Sequence, residues 1–168
     1  FTSPKLVSLN NPLSNVGGAL NAINIETDHL DNLFLEGQGA GGKPTTSSVL
    51  SDLYDIANNN FNNLGFKTSN LKEYKKYNLE NIINSYYLRI MTEDKSGVLS
   101  SITNNFTESG ISVEKILQLP DKSIKNSPIP IIITTHKIQR EILSNVIDKI
   151  EKLSFVKEKI TLLPIHDN

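Results

Sequence analysis

From Tyr86 onward the apolar positions switch between two periods, and the switches mark six elements. Tyr86–Thr92 sets Leu88 and Ile90 against Tyr87, Arg89 and Met91, the alternation of a strand with one buried face. Core packing is the expectation for Tyr87 at its start. Asp94-Lys95-Ser96-Gly97 follows as a turn, with Asp94 or Ser96 available to cap a helix. Val98, Leu99, Ile102 and Phe106 then fall at helical spacing, and Gly110 stops the helix. Ile111–Leu119 reads as a second strand, Pro120–Ser127 as a polar turn, and Ile129–Thr135 as a third strand. Ile138, Ile142, Leu143, Val146, Ile147, Ile150 and Leu153 form the apolar stripe of a second helix, and Ile160–Ile165 a fourth strand. The order βαββαβ predicts a ferredoxin-like unit, a four-stranded antiparallel sheet with two helices on one face.

The first third of the chain is less regular. Lys5–Leu9 reads as a short strand, Pro12-Leu13 as a turn or short helix ended by Gly17-Gly18, and Ala19–Glu26 as a strand. Thr27-Asp28-His29 supplies turn chemistry, and Asn32–Glu36 is the return strand of a hairpin. Thr45 or Thr46, just after Pro44, can cap a helix presenting Val49, Leu50, Leu53, Ile56 and Ala57 on one face. These elements are too few to close a core, so the segment reads as the tail of a larger α/β domain. Residues 58–84, rich in Asn, Lys and Tyr, lack a sustained period and read as a linker with one weak helical turn. The class is α+β, with boundaries at 1–57, 58–84 and 85–168.

Composition narrows the function classes. The 168 residues suffice for one modest domain or two small ones, and 38% hydrophobic residues suffice for a core. A net charge of −1 argues against a nucleic-acid partner. The chain has no cysteine, which removes disulfides, thiolate nucleophiles and Cys-ligated metals, and suits the cytosol. No apolar run approaches the roughly 20 residues of a membrane helix. The opening residue, Phe1 rather than Met, implies a missing upstream part.

Candidate chemistry concentrates at Gly37-Gln38-Gly39-Ala40-Gly41-Gly42, between the apolar run Leu33-Phe34-Leu35 and the helix pattern. Strand, glycine loop and helix start let backbone N–H groups approach a phosphate or a cofactor edge, although such loops are commonly only tight turns. His29, His136 and His166 have no metal-ligand spacing, so no metal site is expected. Asp52 and Asp55 read as a polar helix face, Glu158 and Asp167 as surface, and Lys72, Lys75 and Lys76 as too short a basic run for nucleic acid.

Tyr87-Leu88-Arg89-Ile90, then Asp94-Lys95-Ser96-Gly97-Val98-Leu99 and Gly110-Ile111-Ser112-Val113-Glu114, resemble the ACT domain family of amino-acid-binding regulatory modules. In that resemblance Gly97 brings the turn close to a ligand, and the first turn of the following helix receives a carboxylate. Asp94, Gly97, Val98 and Leu99 are the implied effector residues, with Ser112 and Gln118 as contacts from the second strand. The earlier segment is similar to the end of the catalytic region of homoserine dehydrogenases. The carrying residues are Pro12-Leu13-Ser14-Asn15-Val16, Asn21-Ala22-Ile23, the glycine loop, Pro44-Thr45-Thr46-Ser47-Ser48-Val49 and Asp52. Gln38 stands where that family is expected to have proline.

The resemblance implies a C-terminal portion of such an enzyme. The whole enzyme would reduce L-aspartate 4-semialdehyde to L-homoserine with NADP or NAD as cofactor, on the way to threonine, methionine and isoleucine. Gly39, Ala40 and Gly41 would lie against the cofactor, and residues 19–36 would belong to the substrate and dimerisation domain. An amino-acid effector, L-threonine, a homodimer or homotetramer, and a cytoplasmic location are implied as well. No catalytic residue maps onto this chain, and Lys43 is no substitute because no acidic partners accompany it. Two other classes stay open: a non-catalytic amino-acid-sensing module, and a structural dimerisation unit.

Overall fold

The computed structural model describes residues 3–60, 78–118 and 127–166. Two units divide the chain: Phe1–Ser8 with Tyr77–Asn168, and Leu9–Lys76.

In the smaller unit Asn11 opens a single helical turn, Pro12–Asn15, its Oδ1 accepting from Leu13 N–H at 2.9 Å. Strands β1 (Leu20–Thr27) and β2 (Asp31–Gln38) form an antiparallel hairpin in continuous register from Leu20↔Gln38 to Thr27↔Asp31. Helix α1 (Gly42–Ala57) starts earlier than the sequence suggested. Its N-cap is Gly41, not Thr45 or Thr46, and it has no side-chain cap bond. Pro44 therefore lies inside the first turn, where its missing N–H costs nothing because that turn has no acceptors for its donors. The apolar stripe is present but uncovered. Val49, Leu50, Leu53 and Ile56 stay between 52% and 59% exposed, and no apolar side chain of this unit is buried among the described residues.

The larger unit has the core. Strand β3 (Ile83–Thr92) is central. On one side it pairs with β5 (Ile129–Thr135), from Tyr87↔Thr134 to Thr92↔Ile129. On the other it pairs with β7 (Thr161–Ile165), from Ser85↔Ile165 to Arg89↔Thr161. Strand β4 (Val113–Gln118) lies outside β5, with an irregularity between Val113 and Lys115. All three pairings are antiparallel in the order β4-β5-β3-β7, the ferredoxin-like arrangement. Helices α2 (Val98–Glu108) and α3 (Arg140–Ile150) supply the other half of the core.

Alternation decides which face is buried. Tyr86, Leu88 and Ile90 of β3 and Ile131 and Ile133 of β5 join Val98, Ile102 and Phe106 of α2 and Leu143, Val146 and Ile150 of α3 in one cluster. Each such side chain contributes about 1.5–3 kcal/mol through burial. Tyr86, not Tyr87, is the core tyrosine, because it shares the parity of Leu88 and Ile90. Gly110, at φ 68°, ends α2: its N–H reaches Thr107 O at 3.0 Å and Ile111 N–H reaches Phe106 O at 2.9 Å, a Schellman closure.

Two local expectations give way. Ile138 belongs not to α3 but to a two-residue strand, β6 (Ile138–Gln139), which pairs with Ile83 and Asn84 before α3 begins. The strand expected over Lys5–Leu9 reduces to one parallel bridge, Leu6 to Ile165 on the outer edge of β7. Leu6 N–H donates to Pro164 O at 2.9 Å, and His166 N–H donates to Leu6 O at 2.7 Å. Residues 120–126 of the polar turn expected at Pro120–Ser127, and 61–77 of the linker, fall outside the described residues.

Candidate functional site

The glycine loop holds its shape for reasons that differ residue by residue. Gly39 N–H bonds Ala19 O at 2.9 Å. A Cβ on Gly39 would sit 1.4 Å from Asn21 Nδ2 and 2.5 Å from Asn21 Cγ, so this glycine makes room for the neighbouring strand's side chain. Gly41, at φ 121° and ψ 155°, occupies a region open essentially to glycine alone. From there its carbonyl accepts Thr45 N–H at 3.2 Å and starts α1. The amides of Gly42 and Lys43 lie before the intrahelical ladder begins, at the positive end of the helix dipole. Beside them an open cleft of about 540 Å³ is lined by Gly42, Lys43, Thr46, Ser47 and Leu50. The Lys43 ammonium and the Thr46 and Ser47 hydroxyls give this mostly apolar lining its polar groups. Lys43, set aside as a catalytic group, thus lines the cleft as a cation.

The second candidate lies where β3 runs into α2. Gly97, at φ 88°, is the N-cap of α2, and no side chain caps the helix, so neither Asp94 nor Ser96 takes that role. Asp94 and Gly97 are exposed, and Leu99 is on the exposed side of the first turn. Val98 is 6% exposed and packs in the core, and its N–H donates to Lys95 O at 3.3 Å, so neither its side chain nor its amide is left for a ligand. Gln118 pairs with Ile131, which also pairs with Ile90, so it lies toward the end of the sheet that carries the turn. Ser112 does not. It precedes Val113↔Thr135 at the other end of β4, about 20 Å along the strand from Gln118 at 3.3 Å per residue. One small effector cannot touch both within this chain.

No sequence pattern marks what pins this turn. The Glu93 carboxylate pairs with Lys157, from the α3–β7 connection, and with Lys95. Glu93 N–H bonds Phe155 O at 3.0 Å and Lys157 N–H bonds Met91 O at 2.9 Å, so backbone and charge tie the two segments together. Hydrogen bonds from Lys157 and then Lys95 hold the Glu93 carboxyl down at about 2. The ionised form is the one stabilised, so this contribution is complete above the ordinary carboxyl value of 4.5 and is lost as pH falls from there through about 2. Thermal unfolding from pH 2 to 6 should therefore show an advantage of the parent over Glu93→Gln that shrinks in that window. A constant difference across the window would show the pairing to be idle. The pair is solvent-exposed, so added salt should also reduce the advantage.

Among the described residues, the other titratable groups form no centre. His29 lies 3.8 Å from Asp28, both side chains almost fully exposed. Among the described residues no group of three metal-ligating side chains converges, and no helix is long and apolar enough to cross a membrane.

Comparison with known proteins agrees with both segments. Residues 2–54 match the homoserine dehydrogenase family model, and residues 86–155 match the ACT domain model. A homoserine dehydrogenase of Pseudomonas aeruginosa is 28% identical over 169 residues, covering 96% of this chain and 39% of that protein. One from Mycobacterium leprae is 32% identical over 165 residues, covering 95% of this chain and 37% of its own length. The crystal structure of a homoserine dehydrogenase from Thiobacillus denitrificans superposes with a TM-score of 0.77 over 98% of this chain and 38% of that one, at 29% identity. The chain belongs to the homoserine dehydrogenase family. It corresponds to a C-terminal portion and spans about two fifths of the length of the relatives it matches, at 39% for the Pseudomonas protein. The ferredoxin-like unit is its ACT domain.

Proposed function

We propose that this chain serves a homoserine dehydrogenase in two ways. Residues 1–57 complete the catalytic and dimerisation domain, and residues 85–168 sense an amino acid, with 58–84 between them. The reaction of the whole enzyme is the reduction of L-aspartate 4-semialdehyde to L-homoserine by a nicotinamide nucleotide, NADPH or NADH. A homodimer or homotetramer in the cytoplasm is part of this reading. The observation that carries it is a glycine-only backbone at Gly41, at the start of a helix, in series with an ACT fold.

The nicotinamide cofactor supplies the hydride when bound. The residues present here fit one wall of its site. In this reading Gly39, Ala40 and Gly41 lie against the cofactor, and the Gly42 and Lys43 amides with the Lys43 ammonium favour an anionic group. Among the described residues no carboxylate or histidine lines the cleft. The 168-residue chain alone should therefore show no NADPH oxidation with aspartate 4-semialdehyde, and turnover by it would overturn the division of labour proposed.

For regulation, the reading places a small amino acid at the turn Asp94–Gly97. Exposed amides at the start of α2 face its carboxylate, with Asp94 and Gln118 available to its polar groups. L-threonine is the proposed effector. Calorimetric titration of the chain with L-threonine, serine, methionine and isoleucine should show saturable binding to threonine that Asp94→Ala weakens. Threonine binding unaffected by Asp94→Ala would move the site elsewhere. A purely amino-acid-sensing role is the second reading, favoured by the complete core of the ACT unit beside a hairpin and helix that bury none. Catalysis by a full-length protein containing this chain decides against it.

A further inference from the structure

Glu93 shares one carboxylate between two ammonium groups, and the two are held very differently. The Lys157 side chain is 37% exposed, its ammonium also donates to Ser154 O at 3.3 Å, and its backbone is bonded to Met91. The Lys95 side chain is 70% exposed, and among the described residues its ammonium has Glu93 alone. Lys95 is therefore the replaceable partner. When its ammonium leaves, Glu93 keeps Lys157 and no charge is stranded. An exposed ion pair contributes about 0–1 kcal/mol, so the departure costs little.

The backbone of Lys95 is fixed while its side chain is not. Its N–H donates to Glu93 O at 3.2 Å and its carbonyl accepts Val98 N–H at 3.3 Å, two residues before Gly97, the N-cap of α2. From there a flexible stem carries a compact charge beside the exposed first turn of the helix. Asp94, its neighbour in the chain, is exposed as well. An amino acid carries one charge of each sign close together, and this turn offers one of each in return. We infer that Lys95 binds the effector's carboxylate and that Glu93 is its counter-ion in the empty site. An arriving amino acid takes the Lys95 ammonium, and Glu93 stays with Lys157. Glu93 is then a positioning residue that holds Lys95 at the site and competes with the effector for it. The inference rests on the effector site proposed at Asp94–Gly97 and states how that site reads a carboxylate.

Calorimetric titration of the 168-residue chain with L-threonine and with L-threonine amide, which lacks the carboxylate, tests it. The readout is the ratio of the two affinities, because a merely loosened turn weakens both ligands together. Lys95→Met should lower the preference for threonine about fivefold, and Lys95→Arg, which keeps the charge, should restore most of it. Glu93→Gln removes the competitor and should raise the preference about threefold. In the Lys95→Met background the same Glu93→Gln change should have no effect on it, because the competition needs both residues. Threonine binding with a ratio that Lys95→Met does not move would overturn the inference and leave the effector site standing. So would a ratio that Glu93→Gln leaves unchanged in the parent. No saturable binding of threonine to the parent would overturn the effector site itself, and the inference with it.

Discussion

Phe106→Ala should destabilise the ACT unit by about 3–5 kcal/mol, the cost of truncating a fully buried aromatic side chain. Phe106 is 1% exposed and sits in the cluster formed by β3, β5 and both helices. It is also the residue whose carbonyl closes the end of α2, so a side chain and a backbone stop meet at one position. Removing the ring leaves a void in a close-packed cluster that includes strand residues such as Leu88 and Ile133, which relaxes only in part to fill it. A loss of that size is comparable to the whole stability of a small domain, about 5–15 kcal/mol. Urea unfolding followed by far-ultraviolet circular dichroism measures it. Leu99→Ala, on the same helix at 36% exposure, should cost under about 1 kcal/mol. Equal losses at the two positions would show that α2 does not pack through Phe106.

The second large effect is expected at Gly41. At φ 121° and ψ 155° alanine costs about 1–3 kcal/mol of backbone strain. The cost is not steric, because the nearest atoms to a Cβ there are Pro44 Cδ and Cγ at 3.6 Å, an ordinary contact. The loop would relieve the strain by shifting, and the start of α1 would shift with it. In the complete enzyme Gly41→Ala should raise KM for the nicotinamide nucleotide by about tenfold, the equivalent of about 1.4 kcal/mol, with a smaller change in kcat. Gly42→Ala is the control. Gly42 is the first helical residue, has no atom within 4 Å of a Cβ, and has no left-handed requirement. If both substitutions raise KM alike, the effect belongs to the presence of a methyl group beside the cleft and not to the Gly41 backbone.

Local rules carried the ACT unit because its elements are set by local chemistry. Ile129–Thr135 is a strand from end to end, and Gly110 stops α2 where a left-handed residue is needed. The misses arise where a distant residue or a competing rule decided. Ile138 has the helical period of α3, but the edge of β3 at Asn84 takes it first. Thr45 and Thr46 are good caps, yet Gly41 begins the helix four residues sooner, since Pro44 is acceptable in a first turn. Lys157 lies far along the chain from Glu93, and no spacing rule reaches that distance. Ser112 and Gln118 are both implied as effector contacts from the second strand, but an extended chain puts them at opposite ends of β4.

The hairpin and α1 carry a practical consequence. Ile23, Leu35, Val49, Leu50, Leu53 and Ile56 are all more than half exposed in this chain. Apolar surface of that kind self-associates, with the unpaired backbone of the hairpin's edges offering further contact. A mass measured by light scattering on the isolated chain will therefore report how those residues find cover in the absence of the rest of the enzyme. It will not count the subunits of the assembly from which they come.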